Sequence, residues 1–188
     1  KIFELSENRS KTDSLKKIDE FVGSTLDRLE ELSKKQGELI GSSSGFKAID
    51  GVTQGLQDED LIVIAGRPSM GKTSLAMNIA ENIAKNDDGC VAVFSLEMSS
   101  QSLTSRMLAS MAGISQSNVK TGNLTDRQWE KLIQQAKKLE EMNIFIDDTP
   151  NISPMEIRAK SRRLAKQYRK QGGVKLVVVD YIQLMQCS

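Results

Sequence analysis

Histidine is absent from all 188 residues, which removes Ser-His-Asp and Cys-His nucleophilic schemes, histidine general bases and histidine metal ligands together. Any chemistry must fall to carboxylates, lysine and backbone groups. Cysteine is nearly absent: Cys90 and Cys187 stand far apart with no CxxC pair. Neither a zinc site nor a disulfide framework is indicated, and a reducing compartment is the simpler reading. Long hydrophobic runs are missing as well. The longest, such as Leu61 to Ala65 and Leu176 to Val179, fall far short of the ~20 residues a spanning helix needs, and no signal peptide precedes them. A soluble protein with no membrane partner is expected. An excess of one charge is lacking too: 26 Lys and Arg face 25 Asp and Glu, for a net charge of +1, so bulk charge does not mark a polyanion-coating protein.

What is present is an ordinary soluble profile, 38% apolar and 27% charged, on a chain about one domain long. It begins with Lys1 rather than methionine, and its last expected strand stops eight residues before Ser188. The chain therefore reads as a fragment.

Residues 1 to about 38 read as helical and charged, with Ile18, Phe21, Val22, Leu26, Leu29 and Leu32 forming one apolar stripe. Gly37 and the run Gly41-Ser42-Ser43-Ser44-Gly45 break that pattern, and the run looks like a linker. This divides the chain into a helical linker segment over 1–40 and a second domain over 41–188. Asp60 to Ala65 is β-branched and predicts a buried strand. After it Leu75, Ile79 and Ile83 recur every four residues, which predicts a helix. Cys90 to Leu96, Ile144 to Ile146 and Lys175 to Asp180 read as further strands.

Two later helices carry capping boxes, Thr125-Asp126-Arg127-Gln128 and Ser153-Pro154-Met155-Glu156, the second with proline at its first position. Their apolar faces are Trp129, Leu132, Ile133, Ala136 and Leu139, then Ile157, Leu164, Ala165 and Tyr168. Strands alternating with helices predict an α/β fold with a mainly parallel sheet flanked by helices.

Between the first strand and its helix lies Gly66-Arg67-Pro68-Ser69-Met70-Gly71-Lys72-Thr73. A triphosphate is a dense negative charge, and a tight glycine-rich turn at a helix N-terminus meets it with backbone N–H groups and the positive end of the helix dipole. Gly66 and Gly71 permit the turn, Lys72 reaches the β- and γ-phosphates, and the Thr73 hydroxyl ligates Mg²⁺. The nucleotide-binding set is thus Gly66 through Thr73, with Ser74 following. Chance supplies such a pattern in roughly one chain of this length in a hundred, or fewer. The strand before it and the helix after it are the context the mechanism requires.

Leu176-Val177-Val178-Val179-Asp180 ends an apolar strand in a carboxylate, which is where a P-loop enzyme places the acid associated with Mg²⁺. Phe94-Ser95-Leu96-Glu97 places another carboxylate after the strand that follows the loop helix. Hydrolysis needs a group to orient and polarise the attacking water, so Glu97 is the catalytic candidate alongside Lys72. Blander readings suit the rest. The basic helix from Arg158 to Lys170 reads as a solvated face, Met107, Met111 and Cys90 as core, and Asp147-Asp148 as a strand-end turn with capping carboxylates rather than metal ligands.

Several strings resemble the replicative DNA helicases of the DnaB type: Asp60 to Thr73, Phe94-Ser95-Leu96-Glu97-Met98, and Asp180-Tyr181-Ile182-Gln183-Leu184-Met185. Arg106-Met107-Leu108-Ala109-Ser110 and Ile144-Phe145-Ile146-Asp147-Asp148-Thr149 are similar too, and Lys1-Ile2-Phe3-Glu4-Leu5-Ser6-Glu7 is similar to that family's interdomain linker helix. The resemblance implies a RecA-like P-loop motor domain in a homohexameric ring, with ATP and Mg²⁺ at subunit interfaces and single-stranded DNA in the central channel. Primase and a helicase loader are the implied partners, and residues 1–9 are expected to pack on a neighbouring subunit. The implied location is the bacterial cytoplasm or a plastid stroma.

By the same resemblance Lys72 and Thr73 match the phosphate and Mg²⁺ contacts, Glu97 the catalytic glutamate and Asp180 the Mg²⁺-associated acid. The family's N-terminal domain, DNA-binding loops and arginine finger have no counterpart in these residues, so the chain is expected to bind nucleotide better than it hydrolyses it. Cys187-Ser188 reads as a truncation in a variable loop or as an intein junction. Two other functions remain open: another RecA-like ATPase, or a nucleotide-binding assembly or loader module without turnover.

Overall fold

The structure, a computed structural model, describes residues 17–34, 39–67 and 69–186. The expectations attached to residues 1–9, Gly37, Pro68 and Cys187-Ser188 lie outside the described residues. The chain divides into two compact units, residues 1–38 and 39–188.

In the first unit, helix α1 spans Asp19–Lys34. Asp19 and Glu20 stand in its first turn and Lys34 in its last, each complementing the helix dipole. Lys34 also bonds Glu30 one turn back at 2.7 Å. The apolar stripe is there and exposed, with Ile18, Val22, Leu26 and Leu29 all open to solvent. The side chain of Leu32 lies outside the described residues.

The second unit opens with a difference from expectation, because the glycine and serine run after residue 40 is folded rather than a loose linker. Ser42 bridges Leu56 in antiparallel fashion, and a Cβ at Gly41 would meet the Leu56 carbonyl oxygen at 2.3 Å. Ser43 and Ser44 wrap the carboxylate of Asp50 in the short helix α2 (Lys47–Thr53). Both hydroxyls and the Ser44 N–H donate to Asp50, at 2.7, 2.6 and 2.9 Å. Burial alone would raise the Asp50 pKa, but these donors outweigh it and hold the carboxyl below the usual range.

Helix α3 (Lys72–Asn86) follows the glycine loop and buries Met77, Ile79, Ala80 and Ile83; of the expected stripe Ile79 and Ile83 are buried and Leu75 packs partly buried against the same core. Strand β1 (Cys90–Ser95) is buried along its whole length because it has a strand on each side and a helical layer on each face. Its neighbours are β2 (Ile144–Asp147) and β3 (Val174–Asp180), both parallel to it, in the order β2-β1-β3. Alternation along β1 divides the core. Val91 and Val93 meet α3 together with Leu103 and Met107 of helix α4 (Ser100–Ala112). Ala92 and Phe94 meet Ile152 and Ile157 on the other face.

Helix α5 (Gln116–Thr121) and helix α6 (Asp126–Glu140) complete the layer beside α4, and α7 (Pro154–Gln167) lies on the opposite face. Both expected capping boxes form, Thr125 with Gln128 and Ser153 with Glu156. The apolar face of α6 is only partly buried: Leu132 is inside, whereas Trp129 and Ile133 are 58% and 53% exposed. They line an open apolar groove with Leu108 and Val119. Just past the end of α7, Tyr168 packs edge-on against Phe145, with ring centroids 5.3 Å apart.

The fold class matches the sequence reading, but one element does not. The expected strand at Asp60–Ala65 carries no regular secondary structure and lies outside any ladder of the described residues, and Leu61, Val63 and Ile62 are 85%, 71% and 49% exposed. β-branched composition signals a segment suited to burial, but a strand forms only where another strand supplies hydrogen-bond partners. Among the described residues no helix is long and apolar enough to cross a membrane.

Candidate functional site

Parallel pairing puts the carboxyl ends of the strands side by side. In register, Phe94 stands against Asp147 and Ser95 against Asp180, so Asp147 and Asp180, which end β2 and β3, and Glu97, two residues past β1, lie at the same end of the sheet, where open α/β sheets bind ligands.

The glycine loop sits at the head of α3. It turns at Arg67 to Met70, where the Met70 N–H donates to the Arg67 carbonyl at 3.3 Å. Ser69 takes φ 64° and Gly71 φ 88°, both left-handed. A Cβ at Gly71 would have open space, so the backbone conformation is what asks for glycine there. At Gly66 a Cβ would make only an ordinary 3.5 Å contact with Lys72, so the protein itself does not require glycine at that position. Arg67, Ser69, Met70 and Ser74 are exposed around the loop, and Pro68 lies outside the described residues.

Lys72 and Thr73 form the first turn of α3, where unpaired N–H groups and the dipole favour an anion. The Thr73 hydroxyl donates to Asp180 Oδ2 at 2.7 Å across 107 positions of sequence. This joins the loop helix to the end of β3. The Leu96 N–H donates to the Asp180 carbonyl at 2.7 Å, which ties the end of β3 to the segment carrying Glu97. The Lys72 ammonium lies 5.7 Å from the Tyr181 ring centroid, within cation–π range. Tyr181 entered the sequence reading only as part of a family string. Its position next to Asp180 was the signal available.

Glu97 is exposed two residues beyond β1. The turn that presents it is built by Ser95, whose hydroxyl donates to the Met98 carbonyl at 2.6 Å and accepts the Met98 N–H at 3.3 Å. Hard oxygen donors with room for phosphate and water suit Mg²⁺, and the Thr73 hydroxyl and Asp180 carboxylate, already in contact, are such a pair. Among the described residues no group of three or more His, Cys, Asp or Glu side chains could hold a metal alone.

The remaining rim acids are structural. Asp147 pairs with Lys160 and accepts the Thr149 N–H at 3.0 Å. Burial pushes its pKa up, but those bonds pull it further down, below the usual range. Asp148 accepts the Ser100 N–H at 2.7 Å, capping α4 beside its N-cap Ser99, and that bond lowers its pKa. Cys90 is buried, and burial pushes its thiol pKa up.

A parallel sheet flanked by helices, with a glycine turn heading one helix and an acid on a strand beside it, defines the RecA-like class of α/β domains. Within that class, residues 41–188 match the model of the DnaB-like helicase C terminal domain, and the chain belongs to that family. It is 43% identical over 188 residues to the replicative DNA helicase DnaB of Geobacillus stearothermophilus, covering all of this chain and 40% of that protein. It is 42% identical over 180 residues to the replicative DNA helicase DnaC of Bacillus subtilis (strain 168), covering 96% of this chain and 39% of that one. The chain thus spans about two fifths of the length of these relatives.

Among solved structures it is similar to one described as an ATPase domain, with a TM-score of 0.80 and 31% identity over 92% of this chain and 60% of that one. It is also similar to a DnaB-like replicative helicase described with its interactions with primase. There the TM-score is 0.78 and the identity 31%, over 100% of this chain and 44% of that one.

Proposed function

We propose that this chain is the motor domain of a replicative DNA helicase, which couples ATP hydrolysis to translocation on single-stranded DNA and to duplex unwinding at the fork. The single observation that carries the reading is the 2.7 Å bond between Thr73 and Asp180 at the head of α3. It brings the two oxygen ligands suited to Mg²⁺ together beside the lysine suited to phosphate. Backbone N–H groups of the loop from Gly66 to Thr73, proline excepted, with Ser74 next in the helix, cradle the phosphates, and Lys72 neutralises the β- and γ-oxygens. The Thr73 hydroxyl and the Asp180 carboxylate would hold Mg²⁺, which would supply neutralisation of negative charge there. Glu97, exposed at the rim, orients and polarises the attacking water.

The family supports self-association into a homohexamer, and two exposed surfaces fit it. The stripe Val22, Leu26 and Leu29 on α1 and the groove beside Trp129 and Ile133 are each apolar and open to solvent. Primase and a loader as partners and a location in the bacterial cytoplasm belong to the same proposal.

The test is DNA-stimulated ATP turnover and strand displacement on forked DNA by the complete protein. Glu97→Gln should keep nucleotide binding and lose about a hundredfold or more in turnover. Unchanged turnover refutes the role of Glu97. Tight ATP binding with no DNA-stimulated hydrolysis in the unmodified protein identifies a loader or assembly module instead.

A further inference from the structure

A cavity of about 190 Å³ lies between β1, β2 and α7, on the face of the sheet opposite α3. Ala92 and Phe94 of β1 and Leu164 of α7 give it an apolar floor. Phe145 of β2, packed edge-on against Tyr168, adds an aromatic wall that is still 38% exposed. Asp147 is the only acid in the lining, and Lys160 already neutralises it. Arg163 and Gln167 line the mouth from α7 and are exposed. Beside them the Ser161 hydroxyl is buried with no hydrogen-bond partner among the described residues, which native interiors rarely leave so.

The same helix concentrates positive charge. Between Arg158 and Lys170 the chain holds arginines and lysines but no acid, although the whole chain balances to +1. Arg158, Arg162 and Lys166 follow at four-residue spacing and so form one stripe along α7, with Arg163 next to it at the cavity. All four are exposed, and among the described residues none is in an ion pair. A face that is merely solvated needs neither an apolar hollow at its edge nor an unpartnered hydroxyl inside it.

We infer that this is a docking site for an acidic peptide of a partner protein, one that ends in a large apolar residue. The terminal side chain fills the cavity, the Ser161 hydroxyl and Arg163 donate to the terminal carboxylate, and the acids before it lie along Arg158, Arg162 and Lys166. Size selects a single side chain, because pockets for whole small molecules run from roughly 300 Å³ upward. Charge selects an acidic one, since the stripe has no carboxylate of its own. A nucleic-acid strand would satisfy the stripe, but its bases carry polar edges that the floor of Ala92, Phe94 and Leu164 cannot pair. A C-terminal aromatic residue brings in one group the apolar body, the negative charge and the acceptor that the three parts of the site lack. The site lies across the sheet from the loop helix, so it stands independently of the nucleotide reading.

The experiment is fluorescence anisotropy of the full chain with an N-terminally labelled Asp-Asp-Asp-Phe peptide carrying a free C-terminal carboxylate. Beside it stand the same peptide ending in alanine, its C-terminal amide, and an oligodeoxythymidylate. The phenylalanine peptide should bind at least about tenfold more tightly than the alanine peptide, the value of one buried aromatic side chain. It should bind about fivefold more tightly than its amide, the value of a hydrogen bond to a charged group that is partly exposed. Arg163→Ala should weaken the phenylalanine peptide by about fivefold while leaving the melting temperature of the chain unchanged, because Arg163 is exposed and unpaired. Equal binding of the phenylalanine and alanine peptides overturns the site, as does equal binding of acid and amide or an undiminished affinity in Arg163→Ala. Tighter binding of the oligodeoxythymidylate than of the peptide overturns it in favour of a nucleic-acid face. No binding of the phenylalanine peptide overturns it outright.

Discussion

Replacing Asp180 by alanine removes the acceptor of the Thr73 hydroxyl and leaves the surrounding sheet in place. The backbone carbonyl of Asp180 still accepts the Leu96 N–H, and β3 keeps its register with β1 up to Ser95. The loss is therefore that of one hydrogen bond to a carboxylate. Both partners are half-buried, which puts the cost near the lower end for a charged acceptor, about 1.5 kcal/mol. In a domain of this size that is a fall of about 3–6 °C in melting temperature.

Thr73→Val removes the donor of the same bond. The double variant should then be no less stable than the worse single variant, with a non-additivity of about 1.5 kcal/mol in urea unfolding without nucleotide. The functional arm uses Mg²⁺. ATP affinity of the unmodified chain should rise when Mg²⁺ is added, and both single variants should lose most of that rise. Additive stabilities together with an undiminished Mg²⁺ effect in Asp180→Ala would refute the pairing as the metal-facing edge of the site.

Asp50→Ala strips the acceptor from Ser43, Ser44 and the Ser44 N–H, and should cost about 2–3 kcal/mol of stability. The Asp50 pKa is depressed in the folded chain, so its contribution is complete above the unfolded value near 4 and is lost as pH falls through the folded value. Melting of the unmodified chain and of Asp50→Ala should accordingly converge in acid and separate at about pH 7. Convergence at neutral pH would refute the account. At the loop, Gly71→Ala should destabilise by about 1–2 kcal/mol because its left-handed backbone opposes a Cβ. Gly66→Ala should be close to neutral, since its Cβ meets only an ordinary contact. The reverse order in thermal melts would refute the reading of the turn.

What was legible in the sequence was whatever is written locally. The capping boxes at Thr125 and Ser153 predict helix starts because both halves of each box lie within four residues, and both form. The four-residue period of Leu75, Ile79 and Ile83 and the turn before it are equally local. Helix α4 was not visible in this way. Its serines and threonines dilute the apolar period, and only the contacts of Leu103 and Met107 reveal its buried face. The run from Gly41 to Gly45 misled for a related reason: small polar residues look like a linker unless the carboxylate they wrap is recognised, and Asp50 lies several residues away. Asp60 to Ala65 carries a strand composition whose outcome depends on pairing, which no local window contains. At the candidate site, Lys72, Thr73 and Asp180 were singled out from motif and strand end, and the fold joins Thr73 to Asp180 by a hydrogen bond. Arg106 and Gln116 line one cavity beside the loop, and an arginine and a glutamine on separate helices have no shared pattern that announces this in the sequence.

The most direct test of the central claim, that Gly66 to Thr73 with Asp180 form a nucleotide site, is calorimetric titration of the chain and of Lys72→Ala with ATP and Mg²⁺. Lys72 sits in the first turn of α3, and removing its charge from the β- and γ-phosphates should weaken binding by about ten- to a hundredfold. Equal affinity in the two proteins, or no binding by the unmodified chain, would contradict the account.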